Sequence, residues 1–378
     1  MKKYFIFAAA ALVALAACSK IETAPETKPD VPVSFQVANY ARQTKAGETS
    51  LKDEGFTSFR TYAWFTSTTA ADQVFMNYAT VEYNNSDAWK PTDRTYYWPK
   101  TGYVNFFSFA GKHLPDLVDL DATSKAGKAH YTTAMIIATD DNILIADEAY
   151  GFNSNPTATY GLDNVEKGVP TLFRHMLSKV IFDIKVDATT DGDGTAITDN
   201  KNNWAIVVNS ATVSYRNQGT LEVAFPTTPA ITLGADNKPT TAGGTQKYNS
   251  AVWTPSDVAN VTLSKVSTAV EANADGGSAS EYVTMIAESV VMPQTIATTG
   301  VTLALNYTLT HTYNGANPGT ETVPVAATAL TTFTPTISAW APNTIYKYHI
   351  IVKPNGSVLF DPAVEVWADP VTEASKEI

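Results

Sequence analysis

The chain has 378 residues, 44% hydrophobic and 17% charged, with a formal net charge of −11. An acidic chain of this kind is unsuited to nucleic acid or to an anionic membrane surface. Its single cysteine leaves no intrachain disulfide and no thiolate metal site, so stability has to come from apolar cores.

The N-terminus sets the destination of the chain. Lys2 and Lys3 precede an apolar run over residues 4–14, and Leu15-Ala16-Ala17-Cys18 follows directly. A positive segment, a short apolar run and small residues read as a secretory signal peptide over residues 1–17. The run is shorter than the ~20 residues needed to cross a bilayer. Its small-small-Cys ending resembles the lipobox of bacterial lipoproteins, which implies lipidation at Cys18 and a tethered precursor. Stable anchoring takes two or more acyl chains, and such a cysteine carries several. Residues 18–30 are polar, contain Pro25 and Pro29, and read as a flexible tether.

From residue 31 onward the texture is β. Short alternating runs rich in Val, Thr, Tyr, Phe and Trp are broken by Gly, Pro, Asn and Asp. They predict strands over 31–40, 58–65, 75–83, 103–109, 142–146, 177–186, 204–215, 282–291, 301–312 and 346–352. Residues 114–129 are expected to hold a turn or two of helix. Residues 147–170 are loop-like, and 187–203, 227–245 and 271–280 read as surface loops. There is no fixed-period repeat. The expected fold is all-β, with two antiparallel β-sandwich domains over residues 31–168 and 169–378.

Catalytic signals are weak. The 5 histidines, His113, His130, His175, His311 and His349, form no HExxH and no i, i+4 pair, so zinc is disfavoured. There is no GxSxG elbow, no Walker A loop and no GxGxxG. Asp191 and Asp193 have oxygens for calcium, but Ala196 and Asn202 stand where an EF-hand loop needs its glycine and its closing glutamate. A polar hairpin loop is the simpler reading. The pairs Asp140-Asp141 and Asp147-Glu148 read as solvated loop charges rather than an acid–base couple. Tyr96-Tyr97-Trp98-Pro99 suits packing between strands better than stacking on a sugar. No enzyme activity, metal or cofactor is expected.

The two ends of the chain are more informative. Val31, Val33, Phe35 and Val37 share one parity, giving the first strand an apolar face along its length. The next segment, Ala41-Arg42-Gln43-Thr44-Lys45, is polar and offers a trypsin-type protease two positions. At the other end Val358, Phe360, Pro362, Val364 and Val366 also share one parity. Pro362 and Pro370 exclude a central place in a sheet but suit an edge or an added strand. Both segments present a long alternating strand able to fill one groove, which is the chemistry of β-strand addition.

Several blocks, taken in order, resemble the fimbrillins, the type V pilins of the major and minor fimbriae of anaerobic Gram-negative bacteria. They are the lipobox, Trp89-Lys90-Pro91-Thr92, Tyr97-Trp98-Pro99, and Val104-Asn105-Phe106-Phe107-Ser108-Phe109-Ala110. Leu172 to Val180, Met292-Pro293-Gln294-Thr295, Pro342-Asn343-Thr344 with Tyr346, Phe360-Asp361-Pro362 and Val366-Trp367 continue the likeness. The resemblance implies two transthyretin-like β-sandwich domains, no catalysis, and export to the outer membrane as a lipoprotein. It further implies that a trypsin-like or arginine-specific protease removes the lipidated end. Here the cut falls at Arg42, with Lys45 as the alternative, and Arg60 is disfavoured inside an apolar strand. The removed strand is 31–40 and the donor strand 358–371. The implied partners are other pilin subunits in a head-to-tail polymer, tip and anchor fimbrillins, and surface receptors of a host or of other bacteria. Two alternatives remain: a fimbrillin-like lipoprotein that stays on the membrane as anchor, assembly factor or tip, and a glycan-binding surface lipoprotein using the aromatics near Tyr97.

Overall fold

The computed structural model describes residues 31–39, 51, 55–66, 73–84, 89–100, 102–112, 114, 117–121, 126–130, 135–147, 149–152, 168–191, 194–198, 201–224, 232–233, 239–240, 250–256, 261–266, 270–313, 316–329, 337–354 and 358–366. The first strands are β1 (Phe35–Asn39), β2 (Ser58–Thr66), β3 (Gln73–Tyr83), β4 (Trp89–Pro91), β5 (Tyr103–Gly111), β6 (Leu117–Asp121), β7 (Ala126–His130), β8 (Met135–Ile136), β9 (Ile143–Ala146), β10 (Ala149–Phe152) and β11 (Val169–His175). They are followed by β12 (Ser178–Val186), β13 (Asn202–Tyr215), β14 (Gln218–Ala224), β15 (Thr232–Leu233), β16 (Pro239–Thr240), β17 (Ser250–Pro255), β18 (Val261–Ser264) and β19 (Glu271–Asp275). The last are β20 (Val283–Val291), β21 (Gln294–Thr295), β22 (Thr302–Tyr313), β23 (Ala316–Ala329), β24 (Ala339–Trp340), β25 (Thr344–Val352) and β26 (Val358–Val366). One helical turn, Ile296–Thr299, follows β21 and ends on Gly300 in the left-handed region.

Three apolar cores organise these strands. An 8-stranded sheet runs β10-β5-β2-β3-β4-β1-β11-β9, and β9 pairs back onto β5. It encloses Phe35, Phe59, Trp89, Trp98, Phe106 and Phe173, all buried. The second core lies between the sheet β20-β12-β25-β26 and the sheet β18-β13-β22-β23, in which β19 also pairs with β13. Strict alternation on β12 sends Val180, Phe182, Ile184 and Val186 into it. There the Phe182 ring stacks on Tyr348 at 4.6 Å, and the Trp340 indole N–H donates to the Tyr348 hydroxyl at 2.8 Å. Burial also pushes the Tyr215 hydroxyl in this core up to about 12.

The third core joins the two halves of the chain. The sheet β17-β14-β7-β6, with β8 also paired to β14, takes strands from both sides of residue 168. Beneath it Phe107, Phe109, Ile143 and Ile145 meet Leu177, Leu221, Val290 and Met292.

The all-β expectation holds, with most ladders antiparallel. Among the described residues two pairs are parallel, β1 with β11 and β12 with β25. Parallel neighbours need a long crossover, and each of these pairs is separated by many intervening strands. Strand pairing in the first sheet runs across residue 168. β11 lies beyond it yet is hydrogen-bonded to β1 and β9 in the first sheet, and the chain changes sheets at Met176-Leu177. The expected helix within 114–129 is instead the antiparallel pair β6–β7. The expected loop at 271–280 begins with β19, whose Ala272 and Ala274 are buried against the second core.

Acidic residues read as solvated also divide. Asp140 is exposed, but Asp141 is buried and binds the Ala138 N–H at 2.8 Å and the Lys112 ammonium at 2.8 Å. Asp147 is buried with Arg174, whose Nε and Nη2 donate to its two oxygens at 2.7 and 2.8 Å. These contacts, that from Arg174 made 27 residues away, supply what water would otherwise provide.

Candidate assembly strands at the two ends of the chain

β1 occupies the middle of the first sheet. On one side its residues run in parallel register with β11, from Phe35 opposite Val169 to Asn39 opposite Phe173. On the other side Phe35 is opposite Trp89, and the ladder continues towards the N-terminus. There the Val33 N–H donates to the Tyr96 carbonyl at 2.8 Å, and the Trp98 N–H donates to the Val31 carbonyl at 3.1 Å. Val33, Phe35 and Val37 are 3%, 3% and 2% exposed, and Val31 packs at the margin of the same core. The Phe35 ring meets Phe59 at 5.4 Å and Phe106 at 5.6 Å, both edge to face. Burying side chains of this size is worth about 1.5–3 kcal/mol each. The strand is therefore a structural member of the first core.

Gly168 shows how closely β1 is fitted. It stands at φ +94°, and a Cβ there would lie 3.0 Å from the Phe35 carbonyl carbon and 3.2 Å from the Gln36 nitrogen. A substitution meets both the left-handed backbone and the β1 main chain. Gly168→Ala is expected to destabilise the protein by about 1–3 kcal/mol, read as a lower urea midpoint.

β26 is held differently. All nine of its residues pair with β25, from Val352 opposite Val358 to Thr344 opposite Val366, and it is the outermost strand of its sheet among the described residues. Its even-numbered residues stand opposite buried Ile350, Tyr348 and Tyr346. Val358 packs against the second core, yet Val364 is 56% exposed and Leu359 on the other face is 49% exposed. A strand hydrogen-bonded along one side among the described residues is cheaper to remove than β1, which is paired on both.

The approach to β26 is pinned at Lys353. Its ammonium donates to Asp187 at 2.6 Å and to the Thr190 hydroxyl at 3.1 Å. Burial alone would raise the Asp187 carboxyl. Hydrogen bonds from Lys353 and Thr189 outweigh it and hold the pKa at about 2, below the usual carboxylate value. A depressed pKa contributes stability above the unfolded value and loses it as pH falls through the folded one. The urea midpoint of wild type minus that of Lys353→Met is therefore expected to be positive and flat above about pH 5, and to shrink between about pH 4 and 2.

Cys18, Arg42 and Lys45 lie outside the described residues. Val31, Val33, Phe35 and Val37 gather in the first core, whereas Val358, Phe360, Val364 and Val366 lie on a strand of another sheet, so the two ends are not neighbours in one ladder. Arg60 sits in β2, where its guanidinium donates to the Tyr78 carbonyl at 3.3 Å. Tyr96 and Trp98 are buried, Tyr97 is 49% exposed, and Trp98 packs on Phe106 at 5.7 Å. Asp191 accepts the Thr195 N–H at 2.8 Å within a small hairpin turn. The role of Gly168 beside β1 was not singled out by sequence, because the close approach depends on a strand far away in the chain.

A family model described as fimbrillin-like matches residues 44–367. No curated protein sequence gives a significant match. Among solved structures, the chain is similar to a fimbrial protein from Bacteroides vulgatus, at 14% identity and a TM-score of 0.48, covering 89% of this chain and 99% of that one. It is also similar to the tip fimbrial protein of Porphyromonas gingivalis with a C-terminal truncation, at 10% identity and a TM-score of 0.33, covering 90% and 100% of the two chains. The family match spans far more than half of the sequence, and the chain belongs to the fimbrillin-like family.

Proposed function

We propose that this protein is a structural subunit of a surface fimbrium used in adhesion, with no catalytic role. It is exported as a lipoprotein anchored through Cys18, cut after Arg42 or Lys45, and polymerised when the C-terminal strand of one subunit replaces the N-terminal strand of the next. The observation that carries this reading is the contrast between the two ends. β1 is an interior strand with its apolar face buried and directly precedes the protease positions, while β26 is an edge strand among the described residues, with half-exposed valine and leucine.

Once the chain is cut, β1 is held by non-covalent contacts alone. Its loss leaves an apolar groove and unpaired backbone, both costly to expose. A second subunit's strand restores the ladder and reburies the face at ~25 cal/mol per Å². Before the cut the groove is filled from within, which blocks premature assembly. A head-to-tail contact of this kind does not close on itself and gives a filament.

Limited trypsin digestion of the lipid-free precursor tests the proposal. The expected result is a new N-terminus at residue 43 or 46, followed by ladders that resist SDS. A chain that is cut there and stays monomeric overturns polymerisation. A chain that resists the cut points instead to a lipoprotein that keeps Cys18 and remains at the membrane.

A further inference from the structure

The two end strands share a short pattern at the same parity: Val33-Ser34-Phe35 in one and Val358-Leu359-Phe360 in the other. We propose that the donated strand enters in the direction of β1 with Val358 at the Val33 position and Phe360 at the Phe35 position, making Phe360 the residue that sets the register. This inference rests on the strand-exchange reading above.

The first reason is the pocket. Phe35 stands edge to face with both Phe59 and Phe106, and those rings lose that contact when β1 leaves. Phe360 is the aromatic residue of β26. In this register it refills the pocket, with Val358 beside it and Pro362 at the Val37 position. A slip of two residues either way puts Pro362 or Val358 where the Phe35 ring was, leaving a void lined by aromatics.

The second reason is the proline. Ser34 accepts the Val169 N–H, so even-numbered β1 residues address β11, while Val33 and Val31 bond toward the Tyr96–Trp98 side. The Val37 N–H therefore faces the β4 side, beyond Phe35–Trp89, the last pair of that ladder among the described residues. Pro362, which has no N–H, removes nothing from the β11 ladder when it stands there. A slip that places it at Phe35 puts it within the pair with Trp89. Reversing the strand about its side-chain axis exchanges its two neighbours and turns the missing N–H toward β11. Direction and register are thus fixed by one aromatic and one proline. On the other face Leu359 and Asp361 take the places of Ser34 and Gln36, each only partly buried.

Cysteine pairs read the register directly, because the mature chain after the cut has no cysteine of its own. Ala363 takes the place of Ala38, whose register partner is Leu172. Trypsin-matured Leu172→Cys/Ala363→Cys protein is expected to form disulfide-linked ladders on non-reducing gels. Pro170→Cys/Ala363→Cys, the pair favoured by a two-residue slip, is expected to form none. Phe360→Ala is expected to speed subunit release on the order of a hundredfold, and Leu359→Ala far less. Cross-linking through position 170, or polymers indifferent to Phe360→Ala, overturns the register while exchange itself stands. If matured wild-type protein forms no ladders, strand exchange fails and takes the register with it.

Discussion

Replacing Arg174 by alanine is expected to cost the folded chain about 3–5 kcal/mol. Domains are commonly stable by only about 5–15 kcal/mol, so much of the protein would unfold under mild denaturant. Arg174 and Asp147 are 1% and 0% exposed at their side chains, and the guanidinium meets the carboxylate with two parallel bonds. Removing the cation strands a carboxylate with little access to water. The pair need not be stabilising in itself, because removing two charges from water offsets much of their attraction. Arg174→Met together with Asp147→Leu is therefore expected to recover most of the loss. Urea denaturation of the single and double variants checks this. A cost below about 1 kcal/mol for Arg174→Ala would place the pair among solvated surface bridges.

A chain ending at residue 357 is expected to fold and to form no filaments after proteolysis. β25 keeps its full ladder with β12 when β26 is absent, so the second core loses an edge rather than a wall. The far-UV circular dichroism should remain that of a β protein, with a lower melting temperature from the newly exposed margin of β25. SDS-resistant ladders should vanish. Mixing the truncated chain with full-length matured subunits should cap growth, because its groove still accepts a strand while it offers none. Filaments from the truncated chain alone would remove β26 from the role of donor.

Much of this architecture was legible in the sequence where burial is one-sided. The alternation through Val33, Phe35 and Val37 and through Val180, Phe182, Ile184 and Val186 matches the buried faces. Pro362 correctly signalled an edge. What failed depended on distant partners. The run from Leu172 to Val180 contains two strands of different sheets, and period-two alternation does not reveal which sheet a strand joins. A turn or two of helix is expected within residues 114–129, but β6 and β7 pair with each other there, and β7 pairs with β14, far ahead in the chain. Asp147 looked like a loop charge because its partner, Arg174, comes after a long intervening segment. At the candidate site the inward residues of β1 were visible, whereas the constraint at Gly168 was not.

The pairing of β9 back onto β5 has a consequence for what happens when a strand is withdrawn. In an open sheet, removing an interior strand separates two pieces. In the first sheet, β4 and β11 stay connected the long way round through β3, β2, β5 and β9. Taking out β1 converts a loop of strands into a strip with two free ends facing one slot. The scaffold is thus redundant at the strand that the proposed mechanism discards, and the other strands of the sheet remain in one continuous ladder without it.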